Sequence, residues 1–165
     1  MIIIIIIRII IIIIVITIIF LAAGHLKGAL GKPQYPHVPG HELCGVVSRV
    51  GKNVKGFQVG DAVGVGCMVD SCLKCKQCLA GNEQKCAAQT GTYQGENKHG
   101  RAAVWPPNSK TLGGYTKLMI VHWRFAVLIP KTYPLEMAGP VMCAGGTFYI
   151  INYLLFHHCH HNSLS

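Results

Sequence analysis

The chain begins with a block in which apolar and polar positions do not alternate. Residues 2–19 are almost entirely isoleucine, interrupted by Arg8, Val15 and Thr17. A membrane span needs about 20 apolar residues, but Arg8 leaves only Ile9 to Ala23 uninterrupted. An arginine at mid-membrane costs about 2.5–3.5 kcal/mol, which flanking isoleucines could offset. Natural spans also mix in Leu, Phe, Gly and Ala, so residues 1–23 read first as a low-complexity segment or gene-prediction artefact. A membrane span is the second reading.

From Tyr35 to about Thr147 the pattern becomes that of a globular protein. Leu43–Val54 and Ala62–Val69 are valine-rich and bounded by glycine, which predicts strands, with Gly51-Lys52-Asn53 as a turn. Tyr115–Val121 and Phe125–Ile129 predict two more strands, the second stopped by Pro130. Leu135–Ile150 is the best helical candidate, with Pro134 suited to a first turn. Pro140 should kink or break it, allowing two short helical pieces. Gly91 to Gly114 is polar and reads as a long loop. The expected organisation is one domain over residues 24–148, then a divergent tail over 149–165. That tail carries His157, His158, Cys159, His160 and His161. Histidine clusters can bind metal, but a disordered tail is the favoured reading.

At 165 residues, the chain is long enough for one ordinary domain and too short for two large ones. Fifteen Lys and Arg against six Asp and Glu give a formal charge of +9. The basic residues are scattered and form no run, so a nucleic-acid partner is not expected. Metal-bound thiolates offset part of that charge. Eight cysteines without a clean secretory signal point to a reducing, cytoplasmic setting with metal-bound thiols rather than a disulfide scaffold. The isoleucine block leaves a membrane location as the alternative.

Four of those cysteines carry the clearest chemistry. Cys72, Cys75, Cys78 and Cys86 form C-x2-C-x2-C-x7-C. Adjacent thiolates at x2 spacing converge on one ion from a tight loop, and four of them close a tetrahedral zinc site with no open position. Such a site is structural, and its binding energy, about 10–16 kcal/mol in zinc-finger peptides, feeds into folding. An iron–sulfur cluster is disfavoured because the bacterial pattern closes with x3 and Cys-Pro, whereas Ala87 follows the last cysteine here. Disulfides between such close neighbours are poorly placed.

Further motifs surround this lobe in a fixed order. Gly40-His41-Glu42 is followed by Gly45, Gly51 and Val54, fitting G-H-E-x2-G-x5-G-x2-V. Gly60-Asp61-Ala62-Val63-Gly64-Val65-Gly66-Cys67 leads into the four cysteines. Leu112-Gly113-Gly114-Tyr115 and Met142-Cys143-Ala144-Gly145 complete the set. Together they resemble the zinc-dependent medium-chain alcohol dehydrogenases, in the cinnamyl alcohol dehydrogenase-like branch. The resemblance runs from about Tyr35 to Phe148. It implies a mainly β, GroES-like catalytic domain with a structural-zinc lobe and a C-terminal helix. It also implies a catalytic zinc held by a cysteine, a histidine and a second cysteine. By position, His41 and Cys143 correspond to two of these ligands, and Glu42 to the neighbouring acid. Three protein ligands leave a position for the substrate oxygen, and the zinc then acts as a Lewis acid towards a small alcohol or aldehyde. NADP(H) and a homodimer are implied for the complete enzyme. Cys44 and Cys67 are expected to be buried strand residues.

The sequence departs from that pattern in two places. The family's first cysteine ligand should fall near residues 18–23, yet no cysteine precedes Cys44. A Rossmann domain should follow Cys143, yet no G-x-G-x-x-G turn does, so no cofactor-binding residue is assigned and the Rossmann domain is expected to be absent. The chain is therefore expected to be a truncated alcohol dehydrogenase, inactive alone. The alternative is a non-enzymatic zinc module, anchored to a membrane through residues 2–23.

Overall fold

The computed structural model describes residues 2–7, 38–96 and 109–151. The isoleucine block, expected to stand apart, instead contributes a strand. Strand β1 (Ile2–Ile7) lies between β2 (Leu43–Val50) and β6 (Leu118–His122), antiparallel to both. The reason is local: β-branched side chains are stiff and pack well on a pleated surface. Ile3 and Ile5 are fully or almost fully buried. Ile3 sits opposite Val121, and Ile5 opposite both Val47 and Met119. The rest of the block, residues 8–23, lies outside the described residues, as does most of the tail, residues 152–165. Among the described residues, no helix is long and apolar enough to cross a membrane.

The main sheet has five strands in the order β6-β1-β2-β3-β7, with β3 at Ala62–Val65 and β7 at Ala126–Leu128. Its inner face is the core, built on Ile3, Ile5, Leu43, Val47, Val63, Val65 and Val121. Burying each such side chain is worth about 1.5–3 kcal/mol. Two short strands, β4 (Met68–Asp70) and β5 (Thr90–Gly91), pair separately and close the base of the cysteine lobe.

Every expected strand is present in shortened form. The first stops at Val50, where Gly51 accepts a hydrogen bond from the Val54 amide at 2.9 Å and starts the turn. The stretch 62–69 is split into β3 and β4 by a bend at Gly66 and Cys67. The third begins at Leu118 rather than Tyr115, because residues 113–115 bond to the segment 38–40 instead. The fourth begins after a 3-10 turn over Trp123–Phe125.

The helical segment breaks near Pro140. Helix α2 (Leu135–Ala138) passes into a 3-10 turn over Gly139–Met142, and a further helix, α3, covers 144–151. Proline lacks the amide that would continue the α pattern. The break sets Ala138 and Gly139 down on the start of β2, where Cys44 Sγ donates to the Leu135 carbonyl at 3.1 Å. Beyond the break α3 leaves Phe148, Tyr149, Ile150 and Ile151 exposed.

Candidate metal centre and the His41 corner

The four-cysteine lobe is the excursion between β4 and β5. Leu73, at φ 56°, turns the chain sharply after Cys72. Cys75 then caps the short helix α1 (Lys76–Leu79), which carries Cys78 inward. Gly81, at φ 76°, reverses the chain, and a 3-10 turn over Glu83–Lys85 delivers Cys86. The donor atoms of Cys72, Cys75, Cys78 and Cys86 all lie within 4.8 Å of one another. The Cys75–Cys78 and Cys72–Cys78 sulfurs are 3.5 and 3.8 Å apart. A tetrahedron with zinc–sulfur bonds of about 2.3 Å has edges of about 3.8 Å, so the donor set fits a four-thiolate zinc ion.

The lobe is also electrostatically prepared. Backbone amides at Lys74 and Cys75 point at the Cys72 sulfur and hold its thiol down at about 6, against an ordinary 9.0. The Cys75 amide donates to that sulfur at 3.3 Å. Ser71 Oγ lies 3.3 Å from the Cys78 sulfur. Arg124 fastens the lobe to the main sheet, pairing with Glu83 at 2.6 Å and donating to the Cys78 carbonyl at 3.3 Å.

Glu42 and Cys143 come from opposite ends of the domain and lie near each other beside the start of β2, with His41 preceding Glu42 in the chain. The Glu42 carboxylate accepts a hydrogen bond from the Ala144 amide at 3.0 Å, tying the first turn of α3 to β2. His41 lies against the Tyr93 ring, with centroids 5.6 Å apart. Burial pushes the Cys143 thiol up, and the neighbouring Cys67 and Glu42 push it further. Burial, with Glu42 and Tyr93, likewise raises the Tyr115 hydroxyl. Among the described residues, however, the four-cysteine lobe is the only group of three or more metal-donor side chains with all donor atoms within 4.8 Å. No such group among the described residues includes His41 or Cys143.

Glycines set the shape of this corner. Gly40, at φ +105°, lies directly beneath the Tyr115 ring, where a Cβ would collide with it. The Gly113, Gly114 and Tyr115 amides bond to the carbonyls of Val38, Gly40 and Pro39. The two motifs that looked separate in the sequence are thus one interlocked turn.

Cys67 needs correction. It is exposed on a bend and is not a buried strand residue. Its neighbour Gly66 lies so close to Met142 that a Cβ there would sit 2.6 Å from the Met142 carbonyl oxygen. Strand pairing ends at that contact, and Cys67 is turned towards Cys143. Cys44, by contrast, is buried in β2 as expected. Tyr93, Tyr115 and Cys67 are the corner residues that sequence reasoning missed. The signal that could have found Cys67 is the alternation of glycine at 64 and 66 beside a cysteine, which permits close backbone approach.

Residues 9–131 match the alcohol dehydrogenase GroES-like domain. The chain is 47% identical over 115 residues to probable cinnamyl alcohol dehydrogenase 3 of Oryza sativa subsp. japonica, covering 70% of this chain and 29% of the rice protein. A cinnamyl alcohol dehydrogenase structure from Sorghum bicolor superposes with a TM-score of 0.75 at 34% identity, covering 93% of this chain and 41% of that one. CAD from Helicobacter pylori, complexed with NADP(H), gives a TM-score of 0.70 at 32% identity, covering 93% and 40%. The chain spans 29–34% of the length of the curated relatives that it matches.

Proposed function

The chain belongs to the alcohol dehydrogenase GroES-like domain family, and from that premise we propose that it is the zinc-binding, catalytic-domain part of an NADP(H)-linked alcohol dehydrogenase. Its mainly β fold is the GroES-like one expected. The relatives and solved structures it resembles are alcohol dehydrogenases, so the reaction class is alcohol and aldehyde interconversion. In this reading Cys72, Cys75, Cys78 and Cys86 hold a structural zinc, and His41 and Cys143 are two donors to a catalytic zinc with Glu42 beside them. A cytoplasmic homodimer completes the reading for the whole enzyme. The observation that carries it is the convergence of four thiols within 4.8 Å on a GroES-like sheet.

The 165-residue chain by itself is expected not to turn over alcohol. No cysteine occurs in residues 18–23, where the third ligand belongs, and Cys67 faces Cys143 without completing a three-donor set. The completeness of the lobe beside this incomplete corner is what favours the second reading, a zinc module without catalysis.

Zinc stoichiometry and turnover, measured together on the purified chain, test the proposal. One tightly held zinc per chain and no NADPH formed from an aromatic alcohol with NADP+ is the expected result. Absence of zinc would defeat the structural-site reading. Steady turnover with a second equivalent of zinc would defeat the claim of inactivity.

A further inference from the structure

Cys67 and Cys143 are 76 residues apart in sequence (143 less 67), yet the fold sets them side by side. Two glycines make this possible. Gly64 leaves room for the Met142 side chain, and Gly66 lets the bend after β3 touch the Met142 backbone. One residue further along each segment, the two thiols interact directly. Both are free cysteines outside the four-thiol cluster. Cys67 is exposed to solvent, while Cys143 is half-buried behind it.

We infer that Cys67 and Cys143 form a peroxide-responsive thiol pair that closes to an intramolecular disulfide. The exposed partner reacts first. The Cys67 sulfur attacks the peroxide O–O bond, forming a sulfenic acid and releasing water. The Cys143 sulfur then attacks the Cys67 sulfur, the S–O bond breaks, and a second water leaves. Two thiols and one hydrogen peroxide thus give one disulfide and two waters, with peroxide as the two-electron oxidant. Bridging two cysteines needs neighbouring Cα positions and Cβ atoms about 3.5–4.5 Å apart. The backbone contact at Gly66 brings the two segments together. The lobe thiols are drawn into zinc and are not part of the pair.

The consequence rests on the reading of Cys143 as a zinc donor. A closed disulfide withdraws that sulfur from any metal at the His41 corner, so oxidation would shut the corner and leave the structural lobe intact.

The test treats the zinc-loaded full chain with dilute hydrogen peroxide, alkylates the remaining thiols, and digests without reductant. Tryptic peptide 56–74 holds Cys72 as well as Cys67, and the peptide after Lys131 holds Cys159 as well as Cys143. Fragment spectra must therefore assign the linked residues. A Cys67–Cys143 link that dithiothreitol reverses is expected, together with loss of two alkylatable thiols. Cys67→Ser should abolish the link while the lobe keeps its zinc. The wild-type spectrum is decisive even if that variant folds poorly. Cys67 oxidised to sulfinic acid while Cys143 remains alkylatable would overturn the pair, as would Cys143 linked to a lobe cysteine. Metal content separates the two ideas: a link that forms in a chain holding only the lobe's one zinc supports the pair, whatever becomes of the reading of Cys143 as a zinc donor.

Discussion

The cysteine lobe and the His41 corner are built from the same kinds of atoms in opposite ways. In the lobe, four sulfurs come from fifteen consecutive residues, and helix α1 with two short turns suffices to bring them within 4.8 Å. At the corner, Glu42, Cys67 and Cys143 come from distant parts of the chain, and they approach one another only if the sheet, the glycine contacts and the break before α3 are all in place. The lobe thus depends on spacing, which a sequence carries directly. The corner depends on tertiary packing, which a sequence does not carry directly.

The sharpest way to break this contrast is to remove one sulfur from the lobe. Cys78 is buried and touches both Cys72 and Cys75. Cys78→Ser should abolish stoichiometric zinc and forfeit a large part of the about 10–16 kcal/mol that such a site can contribute. Metal analysis after gel filtration and a thermal melt would register both. Retained zinc with an unchanged melt would mean that the lobe does not depend on its metal.

A smaller effect is expected at the corner. Gly66→Ala places a methyl 2.6 Å from the Met142 carbonyl oxygen, and overpacking of this kind costs about 1–3 kcal/mol. Denaturant unfolding should show that loss, while the lobe keeps its zinc. Loss of zinc in this variant would show that the two regions are not independent.

The smallest effect is a difference in titration. In the metal-free protein Cys72 is held at about 6, whereas an ordinary thiol sits at 9.0. A depressed folded value means that the thiolate favours the folded state. This contribution is fully present above 9.0 and is lost as pH falls through about 6. Cys143 is displaced the other way, above 9.0. Iodoacetamide labelling followed by peptide mapping should therefore give a midpoint near pH 6 for Cys72, with Cys143 reacting only in alkali. Equal midpoints would remove the electrostatic distinction between lobe and corner.

The same division governs what could be read in advance. The Cys72–Cys86 cluster was legible because its spacing nearly dictates its geometry. The strands holding Val47, Val63, Val65 and Val121 were legible from their β-branched residues bounded by glycine. The strand ends were not, since Tyr115 is claimed by the carbonyls of residues 38–40 and the stretch 62–69 bends where Met142 presses on Gly66. Cys67 looked like a strand residue for the same reason: its exposure is decided by a contact with a residue far along the chain. Ile2–Ile7 was set apart because a homopolymer signals nothing about partners, although each residue in it favours a strand.

That first strand leaves the sheet with an addressing problem. Six identical side chains look the same even after a shift of one place, because inward and outward positions simply exchange one isoleucine for another. The strand cannot be told where to stop by its own letters. Its alignment is held by its neighbours: by Gly45 opposite Ile7, by the bulge between Ile4 and Ile5, and by the run Leu118–His122 along the other edge. In most strands both partners share the task of fixing the match, but here one side is blank tape and the other holds all the marks.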